Sequence, residues 1–110
     1  MTALLVAAGA FVGAPLRFLV ASRLDGERFP YGTLLVNVAG SFVLGLLSGA
    51  AIAGDALALL GVGFCGGLTT YSAFAVQTQR LGWVRGAAYS TATIATALAA
   101  CALGWVIGQA

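Results

Sequence analysis

The sequence has very little charge, and what charge it has is confined to a few short segments. Of its 110 residues only 7% are charged, with five Lys or Arg against three Asp or Glu, while 61% are hydrophobic. A soluble domain normally has about a quarter of its residues charged, so this chain could not cover a surface that faces water. Residues 29–54, 56–79 and 86–110 contain no charge at all. This composition indicates an integral membrane protein, and a net charge of +2 is too small and too scattered for binding nucleic acid.

Titratable side chains are equally scarce inside the apolar stretches. Histidine and lysine are absent, and Arg17 is the one charged residue before position 23. Arginine does not deprotonate in proteins, whereas proton-coupled transport needs a titratable group within the membrane. The two cysteines, Cys65 and Cys101, lie in apolar stretches and suggest neither a disulfide framework nor a thiolate metal site. We find no nucleophile–base pair and no metal-ligand cluster, so we expect that the protein is not an enzyme.

Four long apolar stretches predict four transmembrane helices in a single integral membrane domain covering residues 1–110. A membrane-spanning helix needs roughly 20 mainly apolar residues. The predicted spans are about residues 2–21, 32–53, 56–76 and 87–107. Membrane strands would be about ten residues long and would alternate in polarity, which these stretches do not do. The first stretch has no basic segment before it, so it is predicted to be a span rather than a cleaved signal peptide.

Polar residues recur on one side of two predicted helices. At 100° per residue, Thr33, Ser41 and Ser48 all fall within about 40° of Asn37. In the fourth span Tyr89, Thr93 and Thr96 share a similar arc. Ser, Thr and Asn often form hydrogen bonds between membrane helices, which is the simplest interpretation of each hydroxyl. A central carboxamide such as that of Asn37 is costly unless it faces a partner or water, so we expect it to line a polar path.

The third apolar stretch is rich in glycine and then in hydroxyl groups. It reads GVGFCGGLTTYSAF from residue 61 to residue 74. Glycine is poor in a helix interior, so this run predicts a break in the third helix near mid-membrane. Non-helical backbone at that depth is tolerated where it is buried in protein or lines a polar cavity. Its carbonyl oxygens can hold a cation, and so the break is a candidate site.

Three sequence motifs resemble the small prokaryotic fluoride channels of the Fluc (CrcB) family. They are GAPLRF at 13–18, GTLLVNVAGSFVLG at 32–45 and GFCGGLTTYSAF at 63–74. The resemblance extends over all four spans in order. It implies an all-α membrane protein that forms an antiparallel dimer with two pores. It also implies that the protein is a multi-pass channel of the prokaryotic cell (plasma) membrane, which lets cytoplasmic fluoride leave the cell passively.

The resemblance also implies roles for particular residues. The central asparagine of the family corresponds to Asn37, and its two pore-lining aromatic residues correspond to Tyr71 and Phe74. Ring edges are electropositive and can stabilise an anion without a fixed charge that would trap it. The residues expected to line the pore are Asn37, Ser41, Tyr71, Ser72, Phe74 and Thr93. Two positions depart from the usual pattern, with Tyr71 in place of phenylalanine and Ala73 in place of a hydroxyl residue.

Two further roles follow from the resemblance alone. Arg17 matches the basic residue that ends the first helix, near the vestibule of the pore. The backbone carbonyls of Gly66 and Thr69 match those that hold a structural Na⁺ ion, which is not transported, at the centre of the dimer.

The charged loops predict an orientation in the bilayer. With four spans, loops 22–32 and 77–86 lie on one side and carry Arg23, Arg28, Arg80 and Arg85. The charged residue in the loop on the other side is Asp55, and that loop has no Lys or Arg. Positive residues in short loops favour the cytoplasm, so both termini are predicted to lie outside. An antiparallel homodimer needs both insertions, so a homodimer and a heterodimer with an oppositely oriented homologue are both open.

Two other functions fit a small four-helix membrane protein. A dual-topology cation or drug transporter is disfavoured because the first span has no carboxylate to couple protons to a cationic drug. A structural membrane assembly subunit would need the GxxxG pairs Gly9/Gly13, Gly45/Gly49 and Gly104/Gly108 only to dock helices. Such a subunit would not need water at Thr33, Asn37 and Ser41, and this feature distinguishes it from a channel.

Overall fold

The computed structural model is helical through most of the residues that it describes, which are 2–26, 29–69 and 71–110, with residues 71–73 described in their backbone alone. The helices are α1 (Thr2–Leu24), α2 (Tyr31–Gly49), α3 (Gly54–Leu68), α4 (Tyr71–Arg80) and α5 (Gly82–Gln109). The central part of α3, Leu57–Cys65, is a π-helix. Within the described ranges, extended pairing is limited to one isolated bridge between Asp25 and Pro30.

Three of these helices have the length and apolar composition needed to cross a membrane. They are α1, α2 and α5, and α3 is a shorter apolar helix. The 23 residues of α1 extend about 34 Å at 1.5 Å per residue. That length exceeds the roughly 30 Å hydrocarbon core of a bilayer. The prediction of an all-α, multi-pass membrane protein is therefore confirmed.

The helix ends differ from the predicted spans where glycine or alanine redirects the chain. Helix α2 ends at Gly49 rather than near residue 53, and Ala51 in the following turn has a φ of 59°. The third stretch contains two helices: α3 stops at Leu68, and Thr69 is extended with φ −85° and ψ 160°. Helix α5 begins at Gly82, earlier than the predicted residue 87. The φ of Gly82 is 82°, which needs the conformational freedom of glycine.

Helices α2 and α5 fit together through reciprocal glycines. A Cβ atom placed on Gly45 would overlap the backbone of Cys101 on α5, and one placed on Gly49 would overlap the backbone of Trp105. In the opposite direction, a Cβ on Gly104 would lie 2.9 Å from the backbone N of Leu46, and one on Gly108 would lie 2.8 Å from that of Ala50. Small residues that let two backbones approach this closely are typical of helix interfaces in lipid. The two helices therefore form a closely packed pair.

Helices α1 and α3 form a second close pair. A Cβ on Gly9 would lie 2.6 Å from the backbone N of Phe64, and one on Gly63 would lie 2.6 Å from the carbonyl O of Val6. Gly13 faces the Phe64 backbone one turn further along α1. The GxxxG pairs Gly9/Gly13, Gly45/Gly49 and Gly104/Gly108 thus all lie at helix–helix contacts within one chain.

Side chains are distributed in the opposite way to those of a water-soluble protein. The buried polar residues Thr33, Asn37 and Thr93 are 2–8% exposed. Large apolar residues cover the outside, with Phe11 81% exposed and Trp83 95% exposed. An outer surface of this kind is suited to acyl chains, and Trp83 in the first turn of α5 is suited to the membrane–water interface.

Candidate functional site

A cavity of about 610 Å³ lies among α2, α3, α4 and α5. Most of its wall is apolar and includes Leu44, Val62, Ile94 and Ala97. Asn37 and Ser41 reach it from α2, and Thr93 reaches it from α5. No charged side chain is among the described residues that line it. The cavity therefore offers neutral polar groups in otherwise apolar surroundings.

The cavity brings together most of the residues singled out from the sequence. It is lined by Asn37, Ser41, Gly66, Thr69, Phe74 and Thr93. The side chains of Tyr71 and Ser72 lie outside the described part of the structure, so their predicted places in the pore stay predictions. Arg17 contacts the end of α3, at Gly67, next to the cavity-lining Gly66.

The polar groups of α2 separate into two sets. Asn37 is 8% exposed, and the Ser41 hydroxyl donates to the backbone carbonyl O of Asn37 at 2.7 Å. Thr33, one turn earlier, turns away from the cavity and donates its backbone N–H and its hydroxyl to Asp25, each at 2.8 Å. Ser48 is exposed near the other end of the helix. Of the polar residues predicted on one side of α2, Asn37 and Ser41 therefore line the cavity, and Thr33 and Ser48 do not.

Helix α5 supplies a buried pair of hydroxyls one turn apart. Tyr89 is fully buried and Thr93 is 5% exposed. Neither the Tyr89 Oη nor the Thr93 Oγ1 has a hydrogen-bond partner of good geometry among the described residues. A buried hydroxyl without a partner is costly, and an entering anion or water would remove that cost. Thr96 instead is exposed and donates to the carbonyl of Ala92 in its own helix.

Tyr89 supports the cavity wall from behind, a role that sequence reasoning did not assign to it. Its ring lies against Phe74, which lines the cavity, with centroids 5.5 Å apart. On the other side it meets Phe29 edge to face at 5.4 Å and 81°. The signal in the sequence was its position four residues before Thr93, on the same side of α5. Phe74, Tyr89 and Phe29 form an aromatic column from the cavity toward the loop that joins α1 and α2.

The end of α3 presents backbone carbonyls beside the cavity. The last carbonyls of a helix have no partner within it and must be satisfied from elsewhere. The Cys65 carbonyl accepts from both the backbone N–H and the hydroxyl of Thr69, at 2.9 and 2.8 Å. The Gly67 carbonyl accepts from Arg17 Nε at 3.2 Å. Gly66 lines the cavity, and the place its Cβ would take has no atom within 4 Å.

These features define a small helical membrane protein with an uncharged, mainly apolar cavity that holds a few polar groups among its helices. Residues 4–105 match the model of a family described as CrcB-like protein, Camphor Resistance (CrcB). The chain belongs to the CrcB family, as its sequence motifs predict.

Relatives similar to the chain over most of their length are named fluoride channels. The chain is 52% identical to a fluoride-specific ion channel FluC 2 of Rhodococcus jostii over 110 residues. The aligned region covers 96% of each of the two chains. It is 51% identical to a fluoride-specific ion channel FluC 1 of Streptomyces avermitilis, over 94% of this chain and 89% of the relative. A FluC 2 of Haloarcula marismortui is 50% identical, over 90% of this chain and 82% of the relative.

Proposed function

We propose that this chain is a subunit of a fluoride-specific ion channel through which cytoplasmic fluoride leaves a prokaryotic cell passively across the plasma membrane. The single observation that carries the proposal is the cavity, where Asn37, Phe74 and Thr93 meet and the described lining carries no charge. The names of relatives about half identical to the chain agree with it. The proposal takes residues 1–110 as one integral membrane domain.

Neutral donors suit the passage of a small anion. Fluoride must leave most of its water behind to enter a mainly apolar cavity, and amide N–H and hydroxyl groups can replace that water. Thr93 lines the cavity, and its hydroxyl has no partner of good geometry among the described residues, so it can donate to an ion there. A fixed cation in the lining would hold fluoride too firmly to let it leave, since conduction needs binding that is also weak enough to reverse.

In this proposal the third span is made of α3 and α4 together, broken at Thr69 near the middle of the membrane. The extended backbone of Thr69 supports the break. Two chains would then assemble antiparallel, with the open space at Gly66 facing the second chain. Of the described arginines, three mark one end of the bundle, at Arg23, Arg80 and Arg85, and this bias favours pairing with an oppositely oriented homologue over a homodimer.

We also propose that a structural Na⁺ ion is held by carbonyl groups at the end of α3. The carbonyls of Gly66 and Thr69 would hold it, because helix C-terminal ends and unwound backbone offer the oxygen ligands that Na⁺ prefers. Both residues line the cavity, and the described residues that line it include no Asp or Glu. The ion would supply positive charge that balances the negative end of α3 and would not itself be transported.

Fluoride efflux from liposomes tests the proposal. Purified protein is reconstituted into liposomes loaded with potassium fluoride, and a fluoride electrode follows release after valinomycin is added. Efflux well above that of protein-free liposomes, with no matching release from chloride-loaded liposomes, is the expected result. The measurement is made with the chain alone and with an oppositely oriented homologue, and absence of efflux in both preparations would contradict the proposal.

A further inference from the structure

We infer that Arg17 is a positioning residue that fixes the end of α3 through a hydrogen bond to the Gly67 carbonyl, rather than a free charge that attracts fluoride. The inference rests on the proposed function, because the end of α3 lies beside the proposed pore. It assigns Arg17 a role different from that of the vestibule charge predicted from the sequence. The observation behind it is the bond from Arg17 Nε to the Gly67 carbonyl O, at 3.2 Å and across fifty positions of sequence.

Arg17 lies on the side of α1 that packs against α3. At 100° per residue from Gly9, the contacts of α1 with α3 fall at 0° for Gly9, about 40° for Gly13 and about 140° for Ala14. Arg17 falls at about 80°, in the middle of this arc. Pro15, at about 240°, is on the opposite side and is exposed. The side chain of Arg17 therefore extends the packing surface of α1 instead of facing open water.

The backbone of Gly67 is held against α1 just where Arg17 reaches it. A Cβ on Gly67 would lie 3.0 Å from the Cα of Ala10 and 3.2 Å from the backbone N of Ala14. Arg17 is one turn beyond Ala14, so its side chain meets the carbonyl that the end of the helix leaves without an internal partner. A cation near a helix C-terminus is also favoured by the helix dipole.

Fixing Gly67 fixes its neighbours that face the cavity. Gly66 precedes it and lines the cavity, while Thr69 follows two positions later and is held by the Cys65 carbonyl. The Arg17 bond and the Thr69 bonds thus secure the two sides of the last turn of α3. Loss of the Arg17 bond should let this turn fray and displace the carbonyls of Gly66 and Thr69 from the cavity wall.

Three substitutions separate the hydrogen bond from the charge. In Arg17→Gln the Nε2 atom takes the place of arginine Nε, since both are bonded to Cδ, so the donor is kept and the charge is removed. In Arg17→Lys the charge is kept but the donor moves one bond further out. Arg17→Met keeps the length and removes both donor and charge. Arg23→Gln, an exposed position in the last turn of α1, is the matched control for loss of charge.

The first readout is amide hydrogen exchange of the segment that contains residues 66–69, in full-length protein. We expect faster exchange in Arg17→Met, with near-normal exchange in Arg17→Gln and Arg23→Gln. The second readout is fluoride efflux over a range of fluoride concentration and ionic strength. Efflux at saturating fluoride should fall about tenfold in Arg17→Met, and Arg17→Gln should recover most of it.

A free attracting charge would give the opposite pattern. Arg17→Lys would then conduct normally while Arg17→Gln failed, and the deficit would appear at low fluoride and shrink as salt screens the charge. Unchanged exchange of residues 66–69 in Arg17→Met would also overturn the inference. If the unmodified protein shows no fluoride efflux, the proposed function fails, and the exchange measurement still decides the role of Arg17.

Discussion

The ring of Phe74 lies against the ring of Tyr89, with centroids 5.5 Å apart and planes inclined by 36°. Phe74 belongs to the cavity wall, and Tyr89 is completely buried behind it. The contact joins α4 to α5, so the position of the ring at the cavity depends on the tyrosine. Aromatic pairs of this kind contribute about 0.5–1.5 kcal/mol beyond the area they bury.

Replacing Phe74 with isoleucine should impair conduction more than folding. Phe74→Ile keeps an apolar side chain but removes the electropositive ring edge, so fluoride efflux from liposomes should fall about tenfold, equivalent to about 1.4 kcal/mol. Size-exclusion chromatography should show the same oligomeric state as the unmodified protein. The control is Phe18→Ile, at a position on α1 that is 72% exposed. Normal efflux in Phe74→Ile would remove this ring from the proposed pore.

The Thr93 hydroxyl can be tested by an isosteric change. Because this buried oxygen has no partner of good geometry among the described residues, Thr93→Val should leave the thermal unfolding midpoint unchanged or slightly raised. Fluoride efflux should nevertheless fall several-fold, because the ion loses a hydrogen bond that contributes about 1 kcal/mol. Thr96→Val, at an exposed site on the same helix, should change neither quantity. A lowered midpoint with normal efflux would mean that the Thr93 hydroxyl serves the fold alone.

A methyl group at the contact between α2 and α5 should destabilise the protein. In Gly45→Ala the new Cβ would press on the Cys101 backbone, and overpacking of this kind typically costs about 1–3 kcal/mol. Thermal unfolding in detergent, followed by loss of the native chromatographic peak, measures the effect. The matched variant is Gly26→Ala, where the nearest atom to the new Cβ would be the Phe29 carbonyl O at 3.6 Å. Equal midpoints in these two variants would contradict the close fit of the helices.

Asp25 should stabilise the start of α2. Its carboxylate accepts from the backbone N–H and the hydroxyl of Thr33, whose side chain is 2% exposed. Asp25→Ala leaves both donors without this acceptor and should lower the free energy of unfolding by about 1–3 kcal/mol. Asp55→Ala is the comparison, because Asp55 is an exposed residue in the first turn of α3, where the helix dipole is worth about 0.3–1 kcal/mol. The prediction fails if Asp55→Ala is the more damaging of the two.

The insertion of the chain should follow its arginines. A reporter active on only one side of the membrane, fused to the C-terminus, should report mainly from outside the cell. The variant Arg80→Gln with Arg85→Gln removes two of the arginines at that end and should yield a mixed population. Equal inside and outside populations of the unmodified chain would reject the bias and support a homodimer instead.

The sequence predicted the class of fold well because the bilayer imposes strong rules on composition. Uncharged stretches of some twenty residues fit few structures other than membrane helices, and α1, α2 and α5 agree with that expectation. The GxxxG pairs were equally informative, since Gly45 and Gly104 lie where backbones nearly touch. Helix ends were less predictable, because Ala51 adopts a left-handed φ of 59° that alanine rarely takes, so its residue type gave no sign of the turn after Gly49.

The sequence predicted which residues form the candidate site better than it predicted the hydrogen bonds and ring contacts between them. Helical periodicity and the family motifs singled out Asn37, Phe74 and Thr93, which meet at one cavity. Periodicity could not show that Thr33 bonds to Asp25, or that Arg17 reaches Gly67, because both bonds depend on how separate helices pack. Periodicity placed Tyr89 on the polar side of the fourth span but could not show its contact with Phe74, since that contact joins two helices.

The reciprocal fit of α2 and α5 also limits which changes of length the chain can accept. One residue inserted within either helix would rotate everything beyond it by about 100°, carrying Gly49 or Gly108 away from the partner backbone and bringing a bulkier side chain in its place. Insertions and deletions should therefore be confined to the connecting segments. Within the two helices, relatives should then align residue for residue, without gaps.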